Sequence, residues 1–232
     1  MFVADYLETS LLDWEGKISC VLFLSGCNFR CPWCQNKELA LGKAENKISV
    51  TDIINKFKNK KSWIDGFVIT GGEPTINAGL KNIISEIKNN GFSVKIDTNG
   101  SRPDVIKDIV SSGMVDFISM DIKTSLDKTK YDIACGVSVD LSAINKTVDI
   151  LLNINPYVGV SFRTTVVPGI TDVEDVKEII KKIKNKKYSI QKFIPRNTLD
   201  EKYSGIEPYT EAEIKEMKEF EGKENINRLV TL

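Results

Sequence analysis

The amino-acid sequence predicts an α/β fold, a partial (β/α)6 barrel that stays open, on three observations. Strand-like runs rich in branched and aromatic residues alternate about six times with amphipathic helical patterns, the order of a parallel sheet covered by helices. The chain has 232 residues, whereas a closed eight-stranded barrel typically needs about 250. Polar and charged residues gather directly after the strand-like runs, at the carboxyl ends where ligands sit in barrels and in open parallel sheets.

The strand-like runs are Ile18 to Leu24, Gly66 to Thr70, Ser93 to Asp97, Phe117 to Asp121, Gly159 to Val166 and Ser189 to Ile194. Between them the helical patterns cover Val50 to Asn59, Ala78 to Asn90, Pro103 to Ser112, Leu141 to Asn153 and Val173 to Lys186. Thr51-Asp52 stands before one apolar run, and Thr171 to Glu174 has the spacing of a capping box before another. A last helix begins near Thr210, with Glu213 three residues on, and its charged run Glu211 to Glu224 reads as a solvated face. The whole chain, 1–232, reads as one domain with a core of about 13–200 and a helical tail over 201–232.

Composition narrows the function. Lys plus Arg and Asp plus Glu balance at 32 each, so a broad electrostatic grip on nucleic acid is not expected. Met1 to Lys17 carries Asp5, Glu8, Asp13 and Glu15 and no sustained apolar stretch, which argues against a signal peptide or a membrane anchor and for a cytoplasmic protein. The chain has five cysteines, three of them within eight residues, a pattern of metal ligation in a reducing compartment rather than of a disulfide framework. It has no histidine, which excludes mechanisms that need imidazole as base or ligand.

The cysteine run is Gly26-Cys27-Asn28-Phe29-Arg30-Cys31-Pro32-Trp33-Cys34, spaced CxxxCxxC. Three thiolates leave a metal position open, where a structural zinc or an electron-transfer cluster takes four protein ligands. A zinc site completed by Cys20 or Cys135 is the alternative. Cys20 lies in an apolar strand pattern and Cys135 stands alone, so both read as small core residues. Other strand ends carry Gly71-Gly72-Glu73-Pro74, Asp97-Thr98-Asn99-Gly100, Met120-Asp121-Ile122-Lys123, Arg163 to Pro168 and Phe193 to Asn197. Taken singly the first four of these could be a tight turn, an Asx turn, a solvated ion pair and a proline-glycine turn.

With an aromatic, Trp33, before its last cysteine, the run resembles the cluster loop of the radical S-adenosylmethionine superfamily, and Gly71-Gly72-Glu73 resembles that superfamily's glycine-rich segment. The resemblance implies an open barrel of that type with one four-iron four-sulfur cluster on Cys27, Cys31 and Cys34. The fourth iron would be chelated by S-adenosylmethionine, which reductive cleavage turns into methionine and a 5'-deoxyadenosyl radical. It also implies that Trp33, Gln35, Asn36, Gly71, Gly72, Glu73 and Asn99 lie at the cofactor, with Glu73 orienting the loop or the methionine amino group. Asp97, Thr98 and Asp121 would contact the cofactor or a monovalent cation beside its carboxylate, and Lys123 and Arg163 would neutralise that carboxylate.

From about Asp13 to Asp200 the chain is similar to the activating enzymes of glycyl radical proteins, especially those serving anaerobic ribonucleoside-triphosphate reductase. Lys17 to Cys20, Val115 to Lys123, Phe162 to Gly169 and Gln191 to Asp200 carry that likeness. It implies a glycyl radical partner and an electron from reduced flavodoxin or ferredoxin. The chain departs from many activators in having Gln35-Asn36 for His-Asn, Arg196 or Asn197 near the expected adenine position, and Glu15 for a proline, a change expected to alter only a turn. Other readings are a 7-carboxy-7-deazaguanine synthase-like enzyme, with Arg102, Lys128, Lys130 and Arg196 as generic substrate contacts, and an activator of a pyruvate formate-lyase-type protein.

Overall fold

The structure, a computed structural model, describes residues 1–44, 46–58, 63–184 and 186–229, with side chains described up to residue 220. The predicted helix end at Asn59, Asn185 inside the predicted 173–186 helix and tail residues 230–232 lie outside the described residues. Strands β1 (Phe2–Val3), β2 (Asp5–Ser10), β3 (Ser19–Leu24), β4 (Ile48–Ser49), β5 (Gly66–Gly71), β6 (Ser93–Thr98), β7 (Phe117–Asp121), β8 (Gly159–Val166) and β9 (Lys187–Lys192) alternate with helices. The helices are α1 (Lys37–Ala40), α2 (Val50–Lys58), α3 (Leu80–Asn89), α4 (Pro103–Ser111), α5 (Lys128–Cys135), α6 (Leu141–Leu152), α7 (Val173–Ile183) and α8 (Glu211–Leu229).

One sheet runs in the order β2-β3-β5-β6-β7-β8-β9. From β3 to β9 all neighbours are parallel, so six strand carboxyl ends form one rim. Its ends, β2 and β9, do not pair with each other, and the sheet stays unclosed as the sequence predicts. The outward sheet face is a continuous apolar layer, with Leu22, Phe67, Ile69, Ile96, Ile118 and Phe162 fully buried. Helix stripes cover it, for example Ile83, Ile84 and Ile87 of α3 and Val176, Ile179 and Ile183 of α7.

The inner face differs: only its lower part is apolar. Trp14, Val21 and Val68 form a separate cluster there with Phe23 and Phe117. Trp14 is 4% exposed and its ring lies 6.1 Å from that of Phe117. The segment that carries it crosses beneath the barrel, with Lys95 Nζ donating to Asp13 O at 2.5 Å and Glu15 pairing with Lys187 at the start of β9. Glu15 thus makes an exposed ion pair with β9, of a kind that adds little to stability. Trp14→Ala, which empties this floor, is expected to cost about 3–5 kcal/mol, measurable as a lower denaturant midpoint at unchanged slope.

Several features differ from the sequence reading. The sheet gains β2, antiparallel to β3 and ahead of the predicted core boundary near residue 13; its Asp-Tyr-Leu-Glu-Thr-Ser run is largely exposed and lacks an apolar signature. Helix α5 has no strong stripe but is capped by Asp127, which accepts from Lys130 N at 2.9 Å, and ends at left-handed Gly136. The capping box of α7 is built by Asp172 and Asp175, one residue later than predicted, because Thr171 Oγ1 donates to Lys123 O instead. Strand β9 ends at Lys192, two residues short of the predicted end. Helix α8 starts as expected, with Thr210 and Glu213 capping each other. Its charged run is not wholly solvated, for Ile214 and Met217 are buried, each 4% exposed, where α8 packs on α7 and β9.

Candidate active site

The loop after β3 holds the three cysteines and is fixed from several sides. Gly26 N donates to Leu39 O at 2.7 Å, Cys27 N to Ala40 O at 3.2 Å, and Asp200 N to Pro32 O at 2.9 Å. The guanidinium of Arg30 closes the loop on itself, donating to Cys27 O and Phe29 O at 2.6 and 2.7 Å. Gln35 Nε2 donates to Ile194 O at 2.6 Å, which ties the loop to the segment after β9, and Asn36 stands just before α1. Behind the loop lies the carboxyl end of α5, where Arg30 N donates to Cys135 O at 2.8 Å. A Cβ on Gly136 would stand 2.2 Å from Arg30 O, so the helix end must be glycine for this approach.

Cys31 is 7% exposed, and Cys27 and Cys34 are half-buried. Burial pushes the Cys27 thiol up to about 11 and raises Cys34. The Cys135 thiol, hydrogen-bonded to Cys31, holds Cys31 below the ordinary thiol range. Cys20 and Cys135 are both fully buried, as expected of core residues, but the contact between Cys135 and Cys31 has no signal in the sequence. Among the described residues no three His, Cys, Asp or Glu side chains converge on one ion position. A zinc ion would need that convergence, whereas a multi-iron cluster takes one thiolate per iron.

The turn after β5 is zipped onto this loop. Gly72 N donates to Leu24 O and Glu73 N to Gly26 O, both at 2.8 Å. Gly71 has φ +119° and its Cβ would stand 2.3 Å from Leu24 O; a Cβ on Gly72 would stand 1.9 Å from Gly26 O. Glu73 is buried, 1% exposed. Its Oε1 accepts from Thr75 N, Thr75 Oγ1 and Thr98 Oγ1 at 3.0, 2.5 and 2.8 Å, and its Oε2 from Asn99 N at 2.6 Å. Burial raises its carboxyl and these four hydrogen bonds oppose the rise. Of the two roles expected of Glu73, orienting the loops is the one these contacts describe. Asn99 does form an Asx turn, accepting from Ser101 N at 3.0 Å, while its Nδ2 reaches Asn28 Oδ1 at 3.0 Å.

Next to these turns five charged side chains form one group on the inner face. Arg163 bridges two carboxylates, Nε to Asp121 Oδ1 at 2.8 Å and Nη1 to Asp97 Oδ2 at 3.0 Å. Lys123 Nζ lies 3.1 Å from Asp121 Oδ2, and Lys95 Nζ lies 2.7 Å from Asp97 Oδ1, a charge contact rather than an aligned hydrogen bond. Burial opposes ionisation of Asp121, yet the charges of Arg163 and Lys123 overcome it and hold the carboxyl well below its usual range. Lys123 and Arg163 are held above theirs, with Asp121 again outweighing burial. Asp121-Lys123 is an ion pair, as one sequence reading has it, but one in a cavity wall, with side chains 29% and 13% exposed. Lys123 Nζ also lies 5.3 Å above the Trp33 ring. Trp33 Nε1 is buried without a hydrogen-bond partner.

Cys27, Cys31, Cys34 and every cofactor residue singled out in the sequence border one cavity of about 490 Å³ at the rim. Asp13, Phe23, Thr70, Thr165, Gln191 and Phe193 border it too; Thr165, Gln191 and Phe193 lie in segments marked in the sequence but were not singled out as site residues, and no motif marks Asp13, Phe23 or Thr70 as one. The generic substrate candidates lie elsewhere: Arg102 pairs with Asp104, Lys128 with Asp132, and Lys130 with Asp175. Arg196 and Asn197 do not border the cavity. The donor set fits a cluster with a cofactor carboxylate beside it, because it offers three thiols and a charged group with one cation in excess. It does not fit an added monovalent cation, because all four oxygens of Asp97 and Asp121 already lie against cationic nitrogens.

The Radical SAM superfamily profile matches residues 21–183. A provisionally named glycyl-radical enzyme activating enzyme of Methanocaldococcus jannaschii is 34% identical over 223 residues, 93% of this chain and 89% of that one. A second such protein from the same organism is 29% identical over 188 residues, 78% of this chain and 68% of that one. In the solved structure of Streptococcus suis SuiB bound to S-adenosylmethionine the same fold covers 88% of this chain, with a TM-score of 0.68 at 17% identity. This chain spans only 46% of SuiB's length. No helix among the described residues is long and apolar enough to cross a membrane. With the match running from β3 through α7 and the cysteine loop on the rim, the chain belongs to the radical S-adenosylmethionine superfamily, enzymes that work with a four-iron four-sulfur cluster and S-adenosylmethionine.

Proposed function

We propose that this chain is the activating enzyme of a glycyl radical protein, anaerobic ribonucleoside-triphosphate reductase, and removes a hydrogen atom from one glycine Cα of that partner. When bound, the cluster and S-adenosylmethionine supply the reductive cleavage and the hydrogen-abstracting group. What the chain's own residues supply is position: Glu73 fixes the two turns, the charged group receives a carboxylate, and the Trp14 floor seals the barrel from below.

The observation that carries the reading is the unclosed sheet: β2 and β9 do not pair, and a loop of another protein entering between them would bring its glycine Cα to the rim cavity that the cysteine loop borders. The missing histidines agree, since hydrogen-atom transfer depends on proximity more than on acid-base groups. The names of the M. jannaschii relatives support the activating role. The reductase as target rests on the sequence likeness at 17–20, 115–123, 162–169 and 191–200. Reduced flavodoxin or ferredoxin is the proposed electron donor and the cytoplasm the proposed location, in keeping with five free cysteines.

Mixing the cluster-loaded protein anaerobically with reductant, S-adenosylmethionine and the reductase is expected to give a glycine-centred doublet in electron paramagnetic resonance. A doublet only with a pyruvate formate-lyase-type protein would keep the activating role and overturn the named partner. No doublet, with a deazapurine precursor consumed instead, would establish a 7-carboxy-7-deazaguanine synthase-like reaction.

A further inference from the structure

We propose that the Arg163 guanidinium is a built-in replacement for the monovalent cation expected between Asp97 and Asp121, so that S-adenosylmethionine binding by this chain needs no sodium or potassium. The inference rests on the superfamily's cofactor and not on the identity of the glycyl radical partner.

A bound monovalent cation takes oxygen ligands that have given up their water. Asp97 and Asp121 have four carboxylate oxygens, and each lies 2.7–3.1 Å from a cationic nitrogen of Lys95, Lys123 or Arg163. Three of these five side chains are nearly or largely buried, Lys95 being 5%, Asp97 7% and Lys123 13% exposed, and Arg163 follows at 18%. An added ion would therefore meet no carboxylate oxygen that is not already neutralised by a cationic nitrogen, and would face three like charges at short range.

The planar fork of arginine does the same work from a covalent tether. It spans Asp121 Oδ1 through Nε and Asp97 Oδ2 through Nη1, joining β6, β7 and β8 at their carboxyl ends. Lys95 is a positioning residue in this arrangement: held by Asp13 O from the barrel floor, it fixes the far oxygen of Asp97 and leaves Oδ2 turned to Arg163. Three positive and two negative side chains leave one positive charge in excess. One incoming carboxylate balances it without an extra ion. The sequence reading gives Arg163 to the methionine carboxylate; the geometry gives it first to the two aspartates, and the group as a whole attracts the carboxylate.

The test is S-adenosylmethionine binding to the cluster-loaded protein at constant ionic strength in tetramethylammonium, sodium or potassium chloride, beside thermal melting of the cluster-free protein in the same salts. The wild-type Kd is expected to agree within about twofold across the salts, with no ion-specific shift in melting. Arg163→Ser vacates the bridge, and in that variant sodium or potassium is expected to tighten binding at least fivefold and to raise the melting temperature relative to tetramethylammonium. A wild-type Kd weakened about tenfold without sodium and potassium and restored by either would overturn the proposal, as would an Arg163→Ser protein that folds but gains no ion-specific response. If Arg163→Ser fails to fold, the wild-type salt series decides alone. Failure of the nucleotide to bind in any salt would instead overturn the cofactor assignment, and the melting series still tests Arg163.

Discussion

Alanine at Cys27, Cys31 or Cys34 is expected to yield a folded protein that cannot hold its cluster. Iron after anaerobic reconstitution should fall from about four per chain to background, with loss of the brown colour, while circular dichroism stays that of the wild type. The loop lies on the rim and is held by backbone hydrogen bonds from α1 and α5 that the substitutions leave in place. Cys20→Ala and Cys135→Ala should behave in the opposite way. Each removes a fully buried side chain and is expected to cost about 1 kcal/mol of stability while keeping the iron. Iron lost on Cys135→Ala as completely as on Cys31→Ala would mean that the thiol behind Cys31 is a ligand, and the three-thiolate assignment would fail.

The second large effect concerns the glycine turn. Gly72→Ala places a Cβ 1.9 Å from Gly26 O, backbone against backbone, so no side-chain rotation relieves it and the two loops must part. A displacement of about 1 Å at a reacting centre costs on the order of 100-fold in rate. We therefore expect Gly72→Ala to retain iron and to cleave S-adenosylmethionine about 100-fold more slowly, read as 5'-deoxyadenosine formed by the reduced enzyme. Gly205→Ala is the control, for a Cβ there meets nothing within 4 Å. Equal activity in Gly72→Ala and wild type would show that the contact between the two loops is dispensable.

The parallel core was readable because its strands are short branched runs and each is followed by a polar turn at a rim where the topology collects them. The cysteine spacing and Gly71-Gly72-Glu73 were readable through their joint resemblance to superfamily motifs; the reason for the glycines, a close approach set by the register of β3 with β5, became visible only in the structure. What stayed hidden depends on contacts between distant residues. Strand β2 is exposed and charged, and its partner lies across a bulge, so periodicity gives no sign of it. Lys95 alternates with apolar Val94 and Ile96 and so looks like the solvent side of a strand. In an open barrel that polar side faces inward, and Lys95 is buried beside Asp97. The Arg163 bridge and the Cys135 contact join residues 66 and 104 positions apart, beyond any local pattern.

The central claim is that the protein leaves one iron for S-adenosylmethionine to occupy. Electron paramagnetic resonance of the reduced, cluster-loaded protein, recorded before and after adding the nucleotide, tests it most directly. A shift in g-values and line shape on addition, absent when methionine alone is added, is the predicted result. A spectrum unchanged at saturating nucleotide would mean that every iron already has its ligand from the polypeptide.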